Sequence, residues 1–327
     1  MPLGSHEGRL PAVGRVFRYG LMTMREGGGS GLARVGLWTG VLGTVPSAHA
    51  RDLVAEIDEL GYGAVWIPEV AGPDPFVQLA LLLSASRRIV GATWIANIWA
   101  RDAIATAGAA NALAEAFPRR VLVGLGVSHQ NLVADLRGHE YVRPLTAMRS
   151  YLEDIESAPY TGPPPDPPPR YVLAALRPRM LRLAAERTAG AHPYFMTPEH
   201  TARARELLGP GPLLCPEQAV LLETDPGRAR EIGRGYTARY LAQPNYLNAV
   251  RELGFAEEDL ADGGSDAFVD ALVAWGDAER IRARVRAHLD AGADHVAVQA
   301  LPTEKRGVPD GQWRELAAPL TELNAKS

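Results

Sequence analysis

Short apolar runs alternate along the chain with longer segments whose apolar positions recur at helical spacing. A run of four to eight residues that is apolar on both faces reads as a strand of a buried parallel sheet. Eight such runs stand at 35–39, 64–68, 89–96, 120–127, 171–174, 191–196, 218–222 and 294–299. Helical segments separate them: 47–60, one opened by Asp74-Pro75, 102–117, 145–155, 177–187, one opened by Thr197-Pro198, a long stretch over 226–253, a short one near 267–275, and one from Asp277 to Ala291. Asp and Thr accept from the free N–H groups of a first helical turn, and proline fits the first helical position. The helices before Gly61, Gly190 and Gly292 stop on glycine and enter a strand within a few residues. Segment 159–169 is mostly proline and reads as a stiff surface loop.

Eight strands separated by helices, joined by right-handed crossovers, predict an α/β fold of the closed (β/α)8 TIM barrel type rather than an open doubly wound sheet. Residues 35–327 then form one domain. Residues 1–34 end in a glycine-rich run and lack both periodicity and an apolar signal segment. They read as a flexible arm, or as a segment translated from an upstream start, outside the fold.

Composition narrows the function. The chain has 327 residues, 46% of them hydrophobic, enough for one large core. Its formal net charge is −4 without a basic block, so neither nucleic acid nor an anionic membrane is an expected partner. No apolar run approaches the ~18 residues of a membrane span. The single cysteine, Cys215, excludes an intrachain disulfide and suits a reducing cytoplasm.

In a barrel the chemistry sits at the strand carboxyl ends. Those positions hold Trp38 and Thr39, Glu69, Trp94 and Asn97, His129, Ala175 to Arg177, Tyr194, Met196, Glu223 and Gln299. The set is rich in aromatics and thin in charge. The eight histidines form no His-x-His pair, so no catalytic metal is expected. A flat aromatic cleft with a few polar groups suits a large planar cofactor. On the fourth strand, Gly124 and Gly126 remove side chains where another backbone or a flat ligand could approach. Their spacing to His129, Gly-x-Gly-x-x-His, lacks the last glycine of the dinucleotide fingerprint.

With these segments in place the chain resembles the luciferase-like monooxygenase superfamily, most closely its coenzyme F420-dependent branch. The resemblance is carried by Val35-Gly36-Leu37-Trp38-Thr39-Gly40, Gly61-Tyr62-Gly63-Ala64-Val65-Trp66-Ile67-Pro68-Glu69, Gly91-Ala92-Thr93-Trp94-Ile95-Ala96-Asn97, the stretch 119–129, the stretch 171–180 and Ala293-Asp294-His295-Val296. It implies a bacterial luciferase-like barrel, a deazaflavin (F420) or flavin mononucleotide (FMN) across the strand ends, a homodimer, and hydride transfer to or from a small organic substrate. The alternatives are an FMN-dependent monooxygenase using dioxygen and a barrel that only binds a small molecule. The sugar-phosphate dehydrogenase members end their second strand in Asp-His and carry glutamate where this chain has His129; Glu69 and Val70 stand at the first pair, so their proton-transfer scheme does not carry over. His129 is then the first candidate for proton transfer and Glu69 the second. The implied cofactor contacts are Trp38, Thr39, Thr93, Trp94, Asn97, Gly126 and Ser128. The family's non-proline cis peptide maps to Thr93–Trp94. The cofactor's anionic end maps to the helix opened by Ala175, Leu176 and Arg177, where free N–H groups favour an anion. The tyrosines at 236, 240 and 246 form a lid or a dimer face.

Overall fold

The computed structural model describes residues 31–303 and 307–325. Its elements run β1 (Val35–Trp38), α1 (Ser47–Glu59), β2 (Ala64–Ile67), α2 (Pro75–Ser84), β3 (Val90–Thr93), β4 (Ala96–Asn97), α3 (Ala103–Ala116), β5 (Val121–Gly126), α4 (Pro144–Ser157), β6 (Arg170–Leu173), α5 (Pro178–Arg187), β7 (Gly190–Ala191) and α6 (Pro198–Leu208). They continue through β8 (Leu213–Leu214), β9 (Glu217–Leu222), α7 (Pro226–Leu241), α8 (Pro244–Leu253), α9 (Glu257–Leu260), α10 (Asp266–Leu272), β10 (Val273–Gly276), α11 (Ala278–Asp290), β11 (Val296–Ala300) and α12 (Asp310–Thr321).

All strand pairs are parallel, and β11, β1, β2, β3, β5, β6, β7 and β8 are hydrogen-bonded in that order. β8 and β9 are two halves of one passage bent at Cys215-Pro216. On one side of it Cys215 N donates to Ala191 O and Glu217 N to Pro193 O, both at 2.9 Å; on the other, Asp294 N donates to Leu214 O and Ala297 N to Pro216 O, also at 2.9 Å. Both edges of this passage are therefore paired, and the barrel closes. β7 is short because Pro193 has no N–H to donate. β10 takes up the edge of β9 that β7 leaves open.

Alternation along the strands sorts two cores. Leu37, Val65, Ile67, Val123 and Leu125 face outward under the helices. Ala64, Trp66, Trp94, Leu122, Val172 and Leu221 face the interior, in a cluster that continues to Tyr236, Tyr246 and Phe268 of α7, α8 and α10.

Five features depart from the sequence reading. Residues 191–196 were expected as a full strand, but β7 ends at Ala191, and the backbone bonds of His192 N to Leu173 O and of Glu217 N to Pro193 O carry the pairing only two residues further. β10 replaces the end of the expected helix over 267–275, because α10 passes into strand without a turn and both states are apolar. The segment 226–253 breaks into α7 and α8, and α12 follows the last element that periodicity marked. The end of the arm also belongs to the barrel: Ala33 O accepts from His295 Nδ1, and Arg34 O accepts from Val296 N. The remainder of the arm, residues 1–30, lies outside the described residues.

Candidate active site

The barrel interior is lined with rings. Trp66 of β2 donates its Nε1–H to His295 Nε2 at 2.9 Å, which leaves Nδ1 to donate to Ala33 O at 2.5 Å. This fixes His295 as a neutral imidazole. Gly36 makes room for it: a Cβ there would stand 2.6 Å from Ala64 O and 2.8 Å from His295 Cε1. One layer nearer the mouth, Trp94 meets Trp66 edge-on at 4.8 Å and His192 at 4.6 Å. Tyr194 lies 5.5 Å from Trp38 and 6.1 Å from Trp94. Among the described residues, the buried indole N–H groups of Trp38 and Trp94 have no hydrogen-bond partner. His192 is fully buried, and burial pushes its pKa down to about 3.

The turn after β3 carries a non-proline cis bond at Trp94–Ile95, one residue beyond the expected Thr93–Trp94. Trp94 N still donates to Ile67 O at 2.7 Å, so the sheet ladder holds Trp94 in line and the turn begins after it. The glycines of β5 serve this turn. A Cβ on Gly124 would lie 2.1 Å from Thr93 O, and one on Gly126 would lie 2.6 Å from the Ile95 side chain. The space at Gly126 is thus filled by Ile95. Thr93 Oγ1 donates to Gly124 O at 2.8 Å. Thr39 is buried and its Oγ1 accepts from Val41 N. Asn97 Oδ1 accepts from Trp99 N at 3.0 Å and is turned into its own loop.

Glu69 ties this turn down. Its Oε2 accepts from Asn97 N at 2.8 Å, and Arg101 grips both oxygens at 2.8 Å. Arg137 adds a contact at 3.3 Å, and Asp74 shares Arg101 at 2.9 Å. A carboxylate engaged by two guanidiniums and an amide is fixed in place and suits positioning of the turn.

His129 is half-buried on the rim, with its ring 5.4 Å from that of Tyr246. Burial holds its pKa below the ordinary value, partly offset by a hydrogen bond to the Asn245 side chain. Ser128 beside it has a left-handed backbone (φ 56), and its carbonyl lies 3.4 Å from the Tyr141 hydroxyl. Across the mouth, Ala175 is buried in the outer core and Leu176 O accepts from His200 Nε2 at 2.7 Å. Arg177 precedes α5 without capping it and pairs with Glu252 at 2.7 Å.

The sequence reading missed Glu217, which stands one residue before the strand that periodicity marked. It gave Tyr236 and Tyr240 to a lid or a dimer face and not to the site; their i, i+4 spacing puts both on one face of α7, and their rings meet at 5.0 Å. Among the described residues, no group of three or more His, Cys, Asp or Glu side chains is placed to hold a metal ion.

The sequence profile of the luciferase-like monooxygenases matches residues 19–209, more than half of the chain. The chain belongs to the luciferase-like monooxygenase family. A curated relative from Mycobacterium tuberculosis is named as a coenzyme F420-dependent oxidoreductase; it is 24% identical, over 87% of this chain and 98% of its own. Among solved structures, the luciferase-like fold of this chain is similar to an F420-dependent secondary alcohol dehydrogenase in complex with an F420-acetone adduct (TM-score 0.66, 12% identity, 88% of this chain and 97% of that one). It is similar as well to the F420-dependent tetrahydromethanopterin reductase of Methanopyrus kandleri (TM-score 0.67, 15% identity, 89% and 99%). A third likeness is to the oxygenating constituent of the 3,6-diketocamphane monooxygenase of Pseudomonas putida, in complex with FMN (TM-score 0.66, 16% identity, 89% and 98%).

Proposed function

We propose that this luciferase-like enzyme is an oxidoreductase that moves a hydride between the deazaflavin coenzyme F420 and a small organic substrate at the barrel mouth. The observation that carries the reading is the floor made by Trp38, Trp94 and Tyr194, where two buried indole N–H groups stand without partners. A buried donor left unpaired costs ~1–3 kcal/mol, and a flat ring with acceptor atoms at its edge would satisfy both donors while stacking on the aromatics. The name of the mycobacterial relative points the same way.

When bound, the coenzyme supplies the hydride. The protein's part is to orient, to exclude water and to handle the proton. Trp38, Trp94 and Tyr194 would hold the ring, and the turn braced by Glu69 and Arg101 would back it. Arg177, half-exposed at the start of α5, would meet the anionic tail in exchange for Glu252. His129 is neutral at neutral pH because burial disfavours its cation; it is placed to accept a proton or to orient a hydroxyl.

The likeness to an FMN-bound monooxygenase makes that cofactor the competing reading. Titrating the purified protein with F420 and with FMN, followed by fluorescence, separates them. Tight binding of F420 alone supports the proposal. Tight binding of FMN alone replaces it with a monooxygenase, and binding of neither leaves a cofactor-free binding barrel.

A further inference from the structure

His129 stands on the loop that follows β5, and the backbone leading to it is fixed carbonyl by carbonyl. Gly126 O accepts from Ile98 N at 3.2 Å, and Val127 O accepts from the Trp99 indole Nε1 at 2.9 Å. Ser128 O accepts from the Tyr141 hydroxyl at 3.4 Å, and His129 O accepts from Val133 N at 3.0 Å. Between the two side-chain donors sits Ser128, whose backbone is left-handed (φ 56). A serine in this region costs free energy and persists where its surroundings over-determine it. The bonds on Val127 O and Ser128 O supply that constraint. They fix the two peptide planes that meet at the Ser128 Cα, and with them its φ and ψ.

Trp99 is itself held. Its N–H donates to Asn97 Oδ1 at 3.0 Å, its carbonyl accepts from His139 Nδ1 at 2.7 Å, and its ring lies 6.0 Å from that of Tyr141. Asn97 closes β4, which runs beside β5 with Ala96 opposite Leu125 and Asn97 opposite Gly126. Asn97 N in turn donates to Glu69 Oε2 at 2.8 Å. A chain of bonds thus runs from the Glu69 carboxylate through Asn97 to the Trp99 indole, and on to the backbone two residues before His129. At its end the His129 ring lies 5.4 Å from that of Tyr246.

We propose that Trp99 is a positioning residue: together with Tyr141 it holds Ser128 in the left-handed conformation that sets the His129 ring against Tyr246 at the mouth. The inference rests on the hydride-transfer reading, in which His129 handles the proton, and adds to it the group that places the imidazole. Trp99 acts through the backbone and not on the reacting atoms. Without its indole N–H the peptide plane between Val127 and Ser128 is free to turn. Ser128 then relaxes to an ordinary negative φ, and the His129 ring swings away from Tyr246.

Three variants test this. Trp99→Phe keeps a ring and removes the donor. Tyr141→Phe removes the other donor. Adding Ser128→Gly to Trp99→Phe takes away the steric cost, since glycine adopts a positive φ freely. The first readout is the nuclear Overhauser contact between the His129 and Tyr246 ring protons in the coenzyme-free protein, with the His129 signal assigned by its loss in His129→Ala. The contact is expected in the parent, weakened in each single variant and restored in the double variant. A contact of parental strength in Trp99→Phe overturns the proposal whatever the coenzyme does, and so does a loss that Ser128→Gly fails to restore. If Trp99→Phe does not fold, a contact of parental strength in Tyr141→Phe overturns it. The second readout loads the protein with reduced F420 and follows its consumption on a panel of ketones, aldehydes and quinones. Trp99→Phe should lower kcat ~10-fold or more with F420 affinity unchanged, because a misplaced group loses rate rather than coenzyme binding. The double variant should recover most of that loss, and a Trp99→Phe kcat equal to the parent's overturns the positioning role. A parent protein that fails to bind F420, or binds it and consumes none of the panel, strikes the hydride-transfer reading instead; the ring contact then decides by itself whether Trp99 places His129.

Discussion

Trp66 Nε1 donates to His295 Nε2 at 2.9 Å and so joins the second strand to the start of the eighth across the barrel interior. The bond needs a neutral imidazole, and burial holds the His295 pKa down at about 4. Replacing Trp66 with Phe removes the donor, leaves His295 Nε2 unsatisfied and opens space in a packed core. A loss of ~2–4 kcal/mol of unfolding free energy is expected by urea titration.

Among the described residues His295 is one of three fully buried histidines; His192 and His288 are both pushed down to about 3. From pH 6.5 down to these values the unfolded chain binds protons that the folded chain does not. Their contribution is full above 6.5 and is lost as pH falls, by roughly 2 kcal/mol per histidine between pH 6.5 and 5. Urea midpoints measured at pH 7 and pH 5 should show the net loss.

Glu217 has the opposite sign. Its folded pKa, about 8, lies above its ordinary 4.5, so the folded state binds the extra proton between those values. Stability from this group is full below 4.5 and is lost as pH rises through 8, on the order of 3–5 kcal/mol in total. It therefore offsets part of the histidine effect at pH 5. Thermal melts of Glu217→Gln between pH 6 and 9 should be flatter than those of the parent protein.

Trp38→Phe and Trp94→Phe each remove a donor that has no partner in the protein. Coenzyme-free melting temperatures should move little, while F420 affinity falls ~10-fold, the value of about one hydrogen bond. Isothermal titration reads the affinity, and unchanged affinity in both variants would contradict the proposed floor.

His129→Ala should lower turnover ~10²-fold if the imidazole exchanges the proton. Glu69→Gln tests the other carboxyl. With the Arg101 fork broken, the turn over 94–97 loosens, so F420 binding should weaken while the pH profile stays. A variant that keeps full affinity but loses turnover would instead place Glu69 at the reacting atoms.

The barrel was legible because eight apolar runs between capped helices have few other ways to bury both faces of each strand. Period alone could not locate β10, since Val273 to Gly276 is as apolar as the helix before it. Nor could it foresee that β7 would stop at Pro193 and pass its edge of β9 to another strand. At the mouth, residue type and order picked out Trp38, Trp94 and His129 as candidates; that the two indole N–H groups stand unpartnered among the described residues is visible only in the structure. Asn97, Gly126 and Glu69 were named from the same positions, yet their groups are engaged with Trp99, Ile95 and Arg101.

What the sequence determined by itself was the pattern of burial, hence the fold class and the rim on which chemistry must sit, because apolar periodicity is a local property of the chain. What only the tertiary structure decided was which polar atoms are paired. Glu217 looks like any surface acid in the sequence; its pKa is pushed up because the fold buries it with no cation beside it among the described residues, an effect that the donors Phe195 N and Tyr236 hydroxyl only partly oppose.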